Sequence, residues 1–356
     1  MNDQNLTKLK IADRLLNNYQ EKIAFFYRFK PSNHKTQKSR FLKGRVKNPF
    51  FKYRQPKIDL GYFKSNLKKL RIDTSLFPGV LLKQKRKELL LKIKIIEKRG
   101  QTGKINFFSK KLFGQPGPRL VEKAERILKK RVLKTKSPRV SAQKAAGLIE
   151  KQLARHGLFY RAVFKRTNAR LSVLKNTVRI NPQTIFSRKE LGGLINHELT
   201  HAFRRENGLA QPWKIFKLGF PEYLGTEEGL AVYNEIFFGK SKEKLRLFAA
   251  RVIACHLAEK RDFRFVFEQL RAKGFSRAQA WQITLRAKRG SGDTSKKGAF
   301  FKDYLYLAGY FKVKSFLEKG GNPLLLYYGK TGLNDIKSLS NFKRLKYPKH
   351  FFSYKN

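Results

Sequence analysis

The chain has a single cysteine, Cys255, in 356 residues. One thiol closes no intramolecular disulfide and cannot build a zinc ribbon or a Cys-rich finger. Acidic residues are also scarce: Asp and Glu number 25 against 81 Lys and Arg, for a formal charge of +56. No run approaches the roughly 18 consecutive apolar residues that a membrane-spanning helix needs. The opening MNDQNLTKLK lacks the apolar stretch of a secretory signal, so a cytoplasmic location is expected. No internal repeat is visible, which argues against a solenoid.

Apolar residues make up 41% of the chain and aromatic residues 13%, enough to expect a folded core rather than disorder. A field this positive attracts polyanions such as nucleic acid, an anionic membrane surface or an acidic protein tail. The charge is spread, however. Residues 1–140 carry a net +30 and the remainder +26. No zinc-finger or RRM signature accompanies it. A solvated basic surface and an unspecific polyanion partner both fit.

Helical spacing is expected over Leu6 to Phe29, Leu81 to Arg99 and Leu120 to Val132. Residues 31–58 read as irregular, and KTKSPR at 134–139 as a linker. Two regions follow: a mostly helical basic one over 1–140 and a catalytic one over 141–356. Ser141 should cap a helix ending near Gly157. Leu158 to Arg166 and Arg170 to Ile180 read as two strands. Ser187 and Glu190 then form a capping box for a helix over 188–206, with Asn207-Gly208 as its stop.

On that helix lies His197-Glu198-Leu199-Thr200-His201, an HExxH sequence. Residues four apart on a helix differ by about 40° in direction, so both imidazoles can face one ion. The glutamate beside the first histidine can reach a water at that ion. With six His and 17 Glu, chance would produce this pattern about 0.005 times. A catalytic zinc needs a third protein ligand. His256 and His350 are poorly placed for it. A stretch over 218–239 holds Glu222, Glu227, Glu228 and Glu235 with no Lys or Arg. Helix N-terminal acids explain part of that; a cation nearby also explains the missing basic residues. Spacing alone does not choose between Glu227 and Glu228.

Several strings carry a family likeness. HELTHAFRRENG, QPW at 211–213 and TEEGLAVYNE at 226–235 resemble the QEGLA-motif metallopeptidases. That family takes in flavohaemoglobin expression-modulating proteins and microtubule-associated tyrosine carboxypeptidases. Asn48 to Tyr53, Lys111 to Pro116, and Arg289-Gly290 with Asp293 to Lys296 and Lys302 to Leu307 resemble further motifs in the family's order. The resemblance implies an α+β, zincin-like fold with a short antiparallel sheet, the HExxH helix and a largely helical surround. It implies one Zn2+ ion held by His197, His201 and Glu228. Glu227 stands where the family has Gln. The two-residue gap between the histidines is one shorter than in many members.

The expected chemistry is hydrolysis of a peptide bond by a zinc-activated water, with Glu198 as general base. The oxyanion needs a further donor, for which Tyr306 is favoured over Tyr233 and Tyr304. A carboxypeptidase must bind a terminal carboxylate, and Arg204, Arg286, Arg289 and Lys302 are the candidates. The resemblance implies a peptide or protein C-terminus as the substrate, with Tyr among the residues removed and an acidic tail, as in α-tubulin, among the partners. Two alternatives stand: a basic polyanion-binding protein with a structural or degenerate zinc site, and an aminopeptidase or endopeptidase on the same chemistry.

Overall fold

The computed structural model describes residues 3–130, 137–166, 170–174, 176–239 and 243–354. Its contacts divide into two units. The first joins residues 1–131, 220–222 and 245–308; the second joins 132–219, 223–244 and 309–356. Residues 134–136 of the expected linker lie outside the described residues. Among the described residues no helix is long and apolar enough to cross a membrane.

The first unit is helical. Its longest helices are Asp3–Ile23 and Phe77–Glu97, and a short helix, His34–Leu42, occupies the stretch expected to be irregular. Phe41, Phe263, Phe267 and Trp281 form an aromatic core with edge-to-face and tilted contacts near 5 Å. Two of the motifs distant in sequence are joined here. Phe51 N–H donates to Gly292 O at 2.8 Å, Thr294 Oγ1 to Pro49 O at 2.6 Å, and Gly290 N–H to Tyr53 Oη at 3.1 Å. Lys288 Nζ donates to the carbonyls of Ala258, Arg261 and Lys296, closing the same joint. Cys255 is fully buried, its Sγ 3.8 Å from Phe300 O.

The second unit holds the sheets. β1 (Arg139–Val140) pairs antiparallel with β5 (Phe186–Ser187). Between them β2 (Arg161–Phe164), β3 (Leu171–Leu174) and β4 (Thr177–Ile180) form a sheet of order β2-β4-β3. The expected second strand is thus two. Leu174 pairs with Thr177, so only residues 175–176 connect a β3–β4 hairpin. That hairpin is antiparallel, but β2 runs parallel to β4, a pairing that alternation within one strand does not encode.

Ser141 caps the helix Ala142–Arg155 as expected, its side chain accepting from Lys144 N–H. Ile149, Leu153, Val178, Ile180, Leu191, Leu199 and Phe203 bury their side chains together between helix and sheet. The capping of the next helix by Ser187 is present, at 3.1 Å to Glu190 N–H. That helix, Arg188–Ala210, runs past the expected stop. Asn207 and Gly208 serve packing instead. A Cβ at 208 would lie 2.6 Å from Phe216 O. Asn207 Oδ1 accepts from Lys349 and His350 N–H, and its Nδ2 donates to His350 O. Gln211 exchanges two hydrogen bonds with Lys346 in the same way. The C-terminal segment is thereby strapped along the helix that carries the histidines.

Candidate metal centre

Two helices build the site. Arg188–Ala210, the histidine helix, carries His197, Glu198 and His201; Leu224–Gly239, the glutamate helix, carries Glu227, Glu228 and Glu235. Thr226 lies inside the second helix, and its Oγ1 accepts from Leu333 N–H. Glycines let the backbones meet. A Cβ on Gly193 would come within 3.0 Å of Glu235 O, and one on Gly239 within 2.8 Å of Gly193 Cα. Gly229, next to Glu228, lies against Gly309, where a Cβ would approach backbone at 2.2 Å.

His197, His201 and Glu228 offer ligand atoms that all lie within 4.8 Å of one another. Glu228 Oε2 is 4.0 Å from His197 Nε2 and 3.9 Å from His201 Nε2. Tetrahedral zinc with bonds of about 2.1 Å sets its ligands about 3.4 Å apart. Each glutamate–histidine pair therefore lies within about half an ångström of that spacing, and the three residues could hold such an ion.

The other ring nitrogens explain why the Nε2 atoms face inward. His197 Nδ1 is 3.0 Å from Glu235 Oε2, and His201 Nδ1 is 2.8 Å from Glu227 Oε1. A carboxylate on Nδ1 holds the proton there and leaves the Nε2 lone pair for a metal. Glu227 in turn accepts from Arg204 Nη1 at 2.7 Å. Burial pushes the Glu227 carboxyl up, but Arg204 and His201 outweigh it and hold the pKa down to about 2. Glu235 is held low as well, burial being overcome by His197 and Lys244.

Glu198 is placed differently. Its Oε2 accepts from Val173 N–H on β3 at 2.8 Å. Burial pushes its pKa up, more than the two histidines lower it. The β3 contact had no signal in the sequence, because a backbone amide carries no residue identity.

Arg204, expected at the substrate carboxylate, is fully buried. Besides Glu227 it donates to Gly329 O at 2.9 Å and to Thr331 O. Tyr306, Arg286, Arg289 and Lys302 lie together in the first unit. Lys302 Nζ donates to Tyr306 Oη at 2.8 Å, and the Tyr306 ring stacks on Phe248. Arg286 pairs with the buried Asp303 through two nitrogens, and Arg289 lies 5.6 Å over the Phe300 ring. Burial raises the Asp303 carboxyl, but Arg286 and Arg289 outweigh it and hold it far below the usual range. Tyr304 donates to Phe113 O, and Tyr233 stacks on Phe237.

The sequence model of the family described as "Microtubule-associated tyrosine carboxypeptidase" matches residues 39–350. Human microtubule-associated tyrosine carboxypeptidase 1 is 33% identical over 154 residues, 42% of this chain and 32% of the relative. The mouse putative tyrosine carboxypeptidase MATCAP2 is also 33% identical over 154 residues, covering 30% of its length. The matched stretch thus spans about a third of these curated relatives. With the family's pattern extending over most of the sequence, the chain belongs to the microtubule-associated tyrosine carboxypeptidase family.

Proposed function

We propose that the protein is a zinc-dependent carboxypeptidase that removes a C-terminal residue, tyrosine among the candidates, from a peptide or protein. The observation that carries this reading is the double constraint on the histidines. Both Nε2 atoms lie within 4.0 Å of Glu228, while each Nδ1 is bonded to a different carboxylate. A metal site needs that division; two surface histidines do not.

His197, His201 and Glu228 would hold the ion. When bound, zinc supplies Lewis acidity to a water and to the scissile carbonyl. Glu198 takes the proton of the attacking water and passes it to the leaving amine. Its burial suits that role, since it pushes the carboxyl pKa up and makes the carboxylate a stronger base. Val173 N–H holds one of its oxygens in place. Arg204 keeps Glu227 ionised beneath His201. An aminopeptidase would need a carboxylate for the substrate amine; of the candidates Glu222, Glu227 and Glu235, the last two are bonded to the histidines.

Metal analysis and a peptide library read by mass spectrometry test the reading. Glu198→Gln should keep its zinc and lose about 10²–10⁴-fold in rate. Undiminished hydrolysis in that variant, or residues leaving only from the N-terminus, would overturn it. Arg289→Ala and Lys302→Ala in the same assay test each as a substrate contact, and Tyr306→Phe tests it as an oxyanion donor.

A further inference from the structure

The segment after Tyr328 carries a cation that the chemistry above does not use. Lys330 sits between Gly329 and Thr331, whose carbonyls both accept from Arg204. Its own backbone N–H donates to Phe216 O at 2.7 Å. Gly329, at a φ of +144°, is pressed so closely on Phe216 that a Cβ would meet its carbonyl oxygen at 2.8 Å. The backbone on both sides of Lys330 is therefore fixed beside the Arg204–Glu227 pair.

The side chain is less committed than its backbone. Nζ lies 6.0 Å from the centroid of the Tyr223 ring, the outer limit of a cation–π contact. Among the described residues it has no hydrogen bond and no ion pair. Glu227 is near enough for the two charges to act on each other. Yet both oxygens of Glu227 are occupied, one by His201 and one by Arg204. Burial pushes the Lys330 ammonium below its ordinary pKa, with Glu227 opposing. A half-buried cation without an anion of its own has lost hydration that nothing in the described fold replaces. An incoming carboxylate would replace it.

We propose that Lys330 binds the terminal carboxylate of the substrate and so sets the preference for a free C-terminus. This rests on the carboxypeptidase reading and deepens it. Arg204, the cation that sequence spacing favours, is held by Glu227 and two carbonyls and serves as a positioning residue for His201. Lys330 is tethered to that same guanidinium through its neighbours, in the unit that holds the metal ligands. Its Nζ is a single charged donor group, suited to one oxygen of a carboxylate.

The test separates this inference from the reading beneath it. Full-length, zinc-loaded Glu198→Gln protein is titrated calorimetrically with a tetrapeptide ending in tyrosine, as the free acid and as the C-terminal amide. The free acid should bind about ten- to a hundredfold more tightly than the amide. Adding Lys330→Met should abolish that preference, and adding Lys330→Arg should keep part of it. Zinc content and melting temperature are measured for each variant to show an intact fold. Equal binding of acid and amide by the parent protein, or an undiminished preference in folded Lys330→Met, overturns the role of Lys330. Hydrolysis by the unaltered protein is scored separately: its absence counts against the carboxypeptidase reading, not against the carboxylate preference.

Discussion

Glu227 and Glu235 hold one histidine each, but what lies behind them differs. Behind Glu227 is Arg204, fully buried, with its guanidinium bonded on three sides. Behind Glu235 is Lys244 at 3.5 Å, with a side chain one-fifth exposed. Both Glu227→Gln and Glu235→Gln should weaken zinc binding by about 10–100-fold in a chelator competition. Their stabilities should diverge. Glu227→Gln leaves a buried guanidinium without its anion and should lower unfolding free energy by about 3–5 kcal/mol. Glu235→Gln leaves Lys244 its bond to Glu190 at 2.9 Å and should lower it by about 1 kcal/mol. Equal losses in urea unfolding would contradict the difference assigned to Arg204. Sequence spacing pointed to Glu227 and Glu228 without choosing between them. Adjacent residues on a helix differ by about 100°, and spacing does not say how the helix is rotated against its neighbour. Packing does: it turns Glu228 toward both Nε2 atoms and Glu227 behind His201. Lys330 has no signal in the sequence among the many basic residues, because what sets it apart is having no ion pair among the described residues.

The histidine and glutamate helices stay in register because glycines replace side chains where their backbones meet neighbours. Gly229→Ala is the sharpest probe, since its methyl would meet the Gly309 backbone at 2.2 Å and no flexible group can yield. The expected result is a loss of about 1–3 kcal/mol together with reduced zinc occupancy, read by thermal melts and metal analysis on the same sample. A variant with unchanged melting and full zinc would show that the glutamate helix can draw away from Gly309 without moving Glu228. Element existence was largely legible: the Ser141 and Ser187 caps and the helices they start are where side-chain chemistry indicated. Element ends and partners were not. Asn207-Gly208 has the composition of a helix stop, yet the strap at residues 346–350 and the Phe216 backbone use those two residues for contact. β2 has ordinary strand composition, but its parallel partner is chosen by the path of the chain through the hairpin.

Across the whole molecule, a charge of +56 makes each buried carboxylate a point of pH sensitivity. Glu88 is the clearest case away from the metal centre. It bonds Lys85 at 3.0 Å and Lys92 at 2.5 Å. Burial raises its pKa, but the two ammonium groups outweigh it and bring it to about 2. A folded pKa below the unfolded value means stability that is fully present above about 4.5 and lost as pH falls toward 2. Urea unfolding between neutral pH and pH 3 should show a drop of a few kcal/mol. Glu88→Gln should be less stable at neutral pH and show a smaller drop. An unchanged pH slope would remove Glu88 from the account. Composition revealed the excess of charge; it did not reveal where a lone carboxylate would gather cations, because that depends on which helix faces become buried.

The buried Cys255 has a consequence of a different kind. Burial, with Asp303 adding to it, pushes its pKa up to about 12, and its side chain has no exposure to solvent. Since the thiolate is the reactive form, the folded protein should be silent toward alkylating reagents at neutral pH. Any labelling must follow an opening of the helices around it. With no second thiol to compete, the rate of modification becomes a clock for that opening, readable by intact mass without introducing a probe. Run at several temperatures, the same clock would give the free energy of that opening.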